Sequence, residues 1–226
     1  MESQTKKVLI CGDSFAQDDP AYPGLHFSQK IANSFPIIDW KVYNLATGGS
    51  SNRAIAQQLL QGMMYEPDFV ILLFTSSNRI ETEKDNSTTT RSLNPEDIVN
   101  WNRKRYNINP QSMLYVRSEN GDSIVDQEVM DIQTIITAGF CLEYLKNKNI
   151  GYCWMDGGLS SIDNKIYEEN YIVNPLLEHK SKQLPLNLWP HASNDANQPS
   201  FHVDNEEIQE SVANMCLNHI LDRLDV

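Results

Sequence analysis

Positive charge is scarce in this sequence. Its 226 residues include 18 lysines and arginines against 30 aspartates and glutamates, which gives a formal net charge of −12 at pH 7. A surface this acidic repels phosphate backbones and anionic lipid headgroups, so we expect neither nucleic-acid binding nor membrane binding. Two interpretations of the charge stay open: it keeps the protein soluble, or an acidic rim selects a cationic or neutral substrate.

Metal-binding and redox motifs are also missing. The four cysteines form no CxxC pair, and the histidines and carboxylates show no metal-ligand spacing. Cys11 and Cys153 lie in apolar runs, where buried free thiols are common. We therefore expect no metal, no cofactor and a reducing compartment.

Long hydrophobic runs are absent as well. No stretch approaches eighteen apolar residues, and the first seven residues lack the apolar segment and cleavage site of a signal peptide. We expect a cytoplasmic protein without a transmembrane helix.

What the sequence does contain is an alternation of apolar strands and amphipathic helices. The predicted strands cover 8–11, 40–45, 68–75 and 150–155, and the predicted helices cover 25–34, 51–64, 129–145 and 204–224. This order predicts βαβ units, hence a parallel sheet covered by helices on both faces. The expected architecture is a three-layer αβα domain with a flavodoxin-like sheet.

Apolar periodicity indicates which helix positions face the core. The expected core positions on the second and third helices are Ile55, Leu59, Leu60, Ile132, Ile135, Ile136, Phe140, Leu142 and Leu145. On the last helix they are Ile208, Val212, Met215, Cys216 and Ile220.

Two stretches break the alternation. Residues 81–126 are polar and rich in turn signals, which is long for a connection, so they predict either an active-site lid or an arm for homo-oligomer or assembly contacts. Residues 160–190 read as irregular, with His179 exposed. We treat residues 1–226 as one domain with an insertion at about 81–126.

Ser14 is the first candidate functional residue. It stands in Gly12-Asp13-Ser14, directly after the first buried strand. Ligands of open parallel sheets bind outside the carboxyl ends of the strands, so a serine at this turn presents a hydroxyl beside backbone N–H groups. The tripeptide alone also suits a plain turn.

The next two strands are followed by further candidate residues. The stretch from Asn44 to Gly49 ends in Gly-Gly, which lets the backbone approach a ligand and offer an N–H donor. Asn78 follows the third strand and offers a side-chain amide, although a helix cap is the simpler interpretation of that position.

These three blocks together resemble the SGNH/GDSL hydrolases. Ser14, Gly49 and Asn78 occupy the places of the family's serine, glycine and asparagine in the right order, while Ser76 and Arg79 depart from the third block. The resemblance implies an ester hydrolase or acyl transferase. Ser14 is then the nucleophile, and the Ser14 and Gly49 N–H groups with the Asn78 amide form the oxyanion hole. The expected substrate is a small-molecule or glycan ester.

The family's general base precedes the last helix in an Asp-x-x-His pattern, and two alignments compete here. Placing Asp195 on the family's aspartate puts Gln198 at the base position, and glutamine cannot take a proton. The alternative uses His202, with Asp204 and Glu207 as a capping box for the helix. We favour His202.

The partner of the base stays open. Asp195 is our choice for the acid, Asp156 after the fourth strand is a second candidate, and a Ser–His dyad without an acid is a third solution. His191 is an alternative base.

A second hypothesis is that the chain is a catalytically degenerate member that acts as a binding or structural component. The Gln198 alignment and the altered third block motivate it. Several segments also resemble SGNH-like proteins of tailed bacteriophages, which would place the protein in a virion or in the host cytoplasm.

Overall fold

The structure is a computed structural model that describes residues 5–18, 23–34, 40–77, 127–157, 159, 174–188 and 205–224. Predictions for the 81–126 insertion, Asn78, His191, Asp195, Gln198 and His202 therefore lie outside the described residues. Within these ranges, no helix has both the length and the apolar character needed to cross a membrane.

Among the described residues, five parallel strands form one sheet in the order β2-β1-β3-β4-β5. The strands are β1 (Lys6–Cys11), β2 (Trp40–Asn44), β3 (Phe69–Thr75), β4 (Gly151–Gly157) and β5 (Gln183–Asn187). Every neighbouring pair runs parallel. This is the flavodoxin-like order, so the predicted fold class is confirmed.

In the described ranges, four helices cover the two faces of the sheet. They are α1 (Phe27–Asn33), α2 (Asn52–Gly62), α3 (Gln127–Asn147) and α4 (Glu206–Leu224), and 3-10 helices follow α2 (Met63–Tyr65) and precede β5 (Leu177–Lys182). One core cluster joins the sheet to α1 and α4, and the other joins it to α2 and α3. The result is the expected αβα arrangement.

The strand patterns explain which strands are central. β3 and β4 are buried along their whole length because helices cover both faces. Strand β5 was missed by the sequence analysis, which treated residues 160–190 as irregular. Only Leu184 and Leu186 are apolar in this edge strand, and Pro185 is tolerated there because an edge strand needs fewer N–H donors.

Most of the expected core positions are correct, but three are wrong. Leu60, Ile136 and Phe140 are 48%, 57% and 50% exposed, because each lies on the outer side of its helix. The helical period is 3.6 residues, so an apolar neighbour of a core residue is turned by about 100° away from the sheet. Val212, Cys216 and Ile220 on α4 are fully buried, as predicted.

The prediction that His179 is exposed is also wrong. His179 is 1% exposed, and its Nδ1 lies 2.6 Å from the hydroxyl of Tyr152 in β4. Its Nε2 lies 3.1 Å from a carboxylate oxygen of Glu143 in α3. This polar bridge ties the segment before β5 to the sheet, which the surrounding irregular sequence does not reveal.

Burial lowers the pKa of the His179 imidazole. The nearby carboxylate of Glu143 raises this pKa by less, so the pKa lies below its ordinary value. Lys146 and Glu178 also lie in this cluster. A depressed folded-state pKa means that the unfolded state binds the proton more tightly. The stability provided by neutral His179 is therefore present above the unfolded pKa of about 6.5 and is lost as the pH falls below it.

We predict that His179 remains neutral in the folded protein at pH values where a free histidine is half protonated. The measurement is an NMR titration of the histidine ring resonances, with His179→Gln to assign the signal. A midpoint at or above about 6.5 would contradict the prediction.

Candidate active site

Ser14 lies in a tight turn at the carboxyl end of β1. The Asp13 carbonyl accepts hydrogen bonds from the N–H groups of Ala16 and Gln17, both at 3.1 Å. The Asp13 carboxylate accepts a third from the Phe15 N–H at 3.0 Å. Asp13 and Phe15 are buried, whereas Ser14 between them is partly exposed, so the turn presents the serine outward.

The Gly48–Gly49 turn follows β2 and lies against this serine. Thr47, which opens the turn, donates its N–H to the Gly12 carbonyl at 3.1 Å. A Cβ on Gly48 would lie 3.6 Å from the Ser14 Cβ and 2.8 Å from the Gln17 side-chain oxygen. Gly49 has a φ of 80°, which glycine adopts without steric cost. Glycine at both positions thus permits the turn to lie close to Ser14, and the predicted approach to a ligand stays a prediction.

The backbone N–H groups around Ser14 differ in whether a described residue accepts their hydrogen bond. The Gly48 N–H is bound to the Gln17 side chain at 2.6 Å. Among the residues that the structure describes, the N–H groups of Ser14 and Gly49 have no acceptor. Unpaired donors beside a partly exposed hydroxyl provide the chemistry of an oxyanion site, because they can stabilise negative charge that develops on a carbonyl oxygen.

Asn44 joins the first two turns. Its side-chain nitrogen donates to the Ala16 carbonyl at 2.8 Å, and its side-chain oxygen accepts from the Ala46 N–H at 3.0 Å. The sequence analysis placed Asn44 and Ala46 in the second block, and the structure shows that Asn44 holds that block to the turn of Ser14.

The end of β3, from which the third block continues, is fixed by α2. The Asn52 side chain accepts from the Thr75 N–H at 2.9 Å and donates to the Thr75 carbonyl at 2.6 Å. Asn52 is 3% exposed, so these bonds are shielded from water. Ser77 is described and buried, and the candidate Asn78 directly after it is not described.

The sequence did not indicate a second polar contact, between the Ser14 turn and the start of α1. His26 Nε2 donates to the Phe15 carbonyl at 3.2 Å, and its Nδ1 lies 3.0 Å from the Asp18 carboxylate. Burial raises the pKa of Asp18, but hydrogen bonds from His26 and Ser28 outweigh it and hold the pKa below its ordinary value. The sequence placed His26 inside the predicted helix 25–34, whereas the structure has it as the N-cap of α1.

Asp156, the second candidate for the acid, lies inside β4, one residue before its end at Gly157, and not after the strand as the sequence predicted. One of its carboxylate oxygens accepts from the Leu159 N–H at 2.6 Å. Because β3 separates β1 from β4, the strands that carry Ser14 and Asp156 lie about 10 Å apart. A direct bond between the two side chains is therefore not expected, and any link would pass through an intervening base.

The last helix is capped one residue later than the sequence predicted. Helix α4 begins at Glu206, and the Asn205 side chain accepts from the N–H groups of Glu207 and Ile208 at 2.9 and 3.2 Å. Asn205 and not Asp204 is therefore the N-cap. The cap falls three residues after His202 instead of two, and the choice of His202 stays a prediction because that residue lies outside the described part of the chain.

The comparisons with known proteins relate this architecture to esterases. No protein-family model and no curated protein matches the sequence. Among solved structures, the psychrotrophic esterase EstA of a Pseudoalteromonas species, in a form inhibited by monoethylphosphonate, matches 98% of this chain and 100% of its own at 11% identity and a TM-score of 0.53. TesA matches 96% of this chain and 99% of its own at 10% identity and a TM-score of 0.54.

A third match names the motif itself. A protein of the G-D-S-L family from Desulfitobacterium hafniense matches 95% of this chain and 99% of its own at 12% identity and a TM-score of 0.50. At such low identity these likenesses show the fold alone. The chain therefore has the α/β fold of the SGNH/GDSL hydrolases, and the Gly48–Gly49 turn lies against Ser14 at the carboxyl ends of β1 and β2.

We predict that Asn52→Leu lowers the free energy of unfolding by about 3 kcal/mol, because the Thr75 N–H and carbonyl lose their buried partners. Gln57→Leu, on the exposed side of the same helix, is the matched control and should change it by less than about 0.5 kcal/mol. Urea denaturation measures both, and equal effects of the two variants would contradict the assigned role.

Proposed function

We propose that this protein is a serine-dependent ester hydrolase or acyl transferase with Ser14 as its nucleophile. The observation that carries the proposal is that the partly exposed Ser14 lies against the Gly48–Gly49 turn, and that the N–H groups of Ser14 and Gly49 have no acceptor among the described residues. If Gly12-Asp13-Ser14 were only a structural turn, a Gly-Gly turn packed against its serine would not be required. The shared fold with EstA, itself an esterase, supports the same class of reaction.

The reaction follows from this arrangement. Ser14 Oγ attacks the carbonyl carbon of an ester while its proton passes to a general base. The π electrons of the carbonyl group move to its oxygen, which becomes an oxyanion. The Ser14 and Gly49 N–H groups bind this oxyanion, with the Asn78 amide as the proposed third donor. The intermediate collapses, the alcohol leaves with the proton from the base, and an acyl-serine remains. Water, or a second alcohol in a transferase, then releases the acyl group by the same steps.

His202 is the proposed base, with Asp195 as the proposed acid. The acid would orient the imidazole and stabilise the imidazolium that forms. Asp156 and His191 remain the alternatives for these two roles.

The proposed substrate is an ester with a small acyl group on a small molecule or a glycan. Among the described residues, the Gly48–Gly49 turn lies against Ser14: a Cβ at Gly48 would lie 3.6 Å from the Ser14 Cβ and 2.8 Å from the side-chain oxygen of Gln17, which accepts from the Gly48 N–H. Small polar surroundings suit an acetyl group better than a long acyl chain, because a long chain requires an apolar pocket.

We predict that the wild-type protein hydrolyses p-nitrophenyl acetate and that Ser14→Ala reduces kcat by at least about a thousandfold, since no nucleophile remains. Ser34→Ala is the matched control. Its hydroxyl donates to the Lys30 carbonyl at the end of α1, so kcat should be unchanged. Wild-type activity that survives in Ser14→Ala would exclude Ser14 as nucleophile. A wild type no faster than buffer would favour the hypothesis of a degenerate binding protein.

We predict that His202→Ala lowers kcat by about 10³-fold or more, whereas His191→Ala lowers it by less than about threefold. Both variants are compared with the wild type in the same assay across pH, because loss of the true base also removes the acidic limb of the pH–rate profile. The reverse pattern would assign the base to His191. If both variants keep the wild-type kcat, neither His202 nor His191 is the general base.

A further inference from the structure

Gln58 is a buried polar residue on the core side of α2. It is 2% exposed and lies among apolar core residues of the same helix, including the fully buried Ile55 and Leu59. A polar side chain in such a position costs free energy unless hydrogen bonds satisfy it. Its partners therefore explain its presence.

Those partners belong to the two turns of the candidate site. Gln58 Oε1 accepts from the Gly12 N–H at 2.8 Å, and its Nε2 donates to the Gly12 carbonyl at 3.1 Å and to the Ser50 hydroxyl at 3.0 Å. Gly12 stands two residues before Ser14, and Ser50 directly follows Gly49. One side chain thus reaches the backbone on one side of the nucleophile and the residue beside the proposed oxyanion donor.

The hydrogen bonds close into a ring. The Ser50 hydroxyl donates to the Thr47 carbonyl at 2.8 Å, and the Thr47 N–H donates to the Gly12 carbonyl at 3.1 Å. Each member of the ring is buried. Removing Gln58 leaves a single direct backbone bond between the two turns within this ring, so their relative position becomes less constrained.

We propose that Gln58 is a positioning residue that fixes the Ser14 turn against the Gly48–Gly49 turn. It holds the Ser14 hydroxyl and the Gly49 N–H in the relative geometry that the reaction requires. The catalytic part of this inference rests on the function proposed above, whereas the coupling of the two turns rests on the hydrogen-bond ring alone.

The first test is Gln58→Met, which keeps the length of the side chain and removes its hydrogen bonds. We expect kcat for p-nitrophenyl acetate, per folded molecule, to fall by about tenfold to a hundredfold with KM within about twofold, because misplaced catalytic groups slow the chemical step. Tyr152→Phe is the matched control, since it also removes a buried hydrogen bond but near the other edge of the sheet. Its kcat should equal that of the wild type.

A second variant separates positioning from general destabilisation. Gln58→Glu keeps the acceptor for the Gly12 N–H but has a donor only when the carboxyl is protonated. The kcat of this variant relative to the wild type should rise several-fold as the pH is lowered from 8 to about 5.5, because burial raises the pKa of a carboxyl group. A ratio that does not depend on pH would contradict the role assigned to the Gln58 donor.

The coupling is also measured without turnover, by amide hydrogen exchange. In Gln58→Met, exchange should accelerate at the Thr47 and Ser50 N–H groups, neither of which is bound to Gln58, and Tyr152→Phe should leave both unchanged. Unchanged exchange in Gln58→Met overturns the proposal whatever the activity.

The outcomes of the two proposals are distinguishable. If Ser14-dependent hydrolysis is present and Gln58→Met retains the wild-type kcat, the positioning role is wrong and the esterase function stands. If the wild type shows no Ser14-dependent hydrolysis, the function fails, and the exchange rates alone decide whether Gln58 couples the turns.

Discussion

The close approach of Gly12 to its surroundings is the constraint on which the candidate site depends. A Cβ at this residue would lie 2.7 Å from the Ala16 Cβ and 2.9 Å from the Leu73 Cβ, so neither the turn nor β3 leaves room for a side chain. The backbone of Gly12 is bound by Gln58 and by Thr47. These contacts restrict the backbone of Gly12 at the end of β1. The turn that follows therefore places Ser14 at the carboxyl edge of the sheet.

In the rest of the site, polar side chains supply hydrogen bonds to backbone groups that no strand or helix partner reaches. Asn44 and Gln58 bind the turns that follow β1 and β2, and Asn52 binds the end of β3. Loops at the end of a parallel sheet carry backbone groups that no strand partner can satisfy. Buried amide side chains are suited to this task because each offers both a donor and an acceptor.

Local patterns predicted the parts of this protein that depend on local interactions. The central strands and most core positions follow from runs and periods of apolar residues, and the positions of Ser14 and Gly49 follow from their places after β1 and β2. The patterns failed for β5, whose Pro185 and single buried leucine conceal an edge strand, and for His179, whose burial depends on Tyr152. The N-cap at Asn205 shifts by one residue because several neighbouring residues are competent to cap.

The sequence by itself determined strands β1 to β4, their parallel direction and the turn that presents Ser14, because strand runs, helix periods and glycines act over short distances along the chain. Only the tertiary structure decided that Gln58 reaches Gly12, 46 residues away, and that Gly48 lies against Ser14. Contacts of this kind depend on how α2 packs on β1 and β3. The role of a buried glutamine on an apolar helix face therefore cannot be predicted from the sequence, because the packing of the helix determines its hydrogen-bond partners.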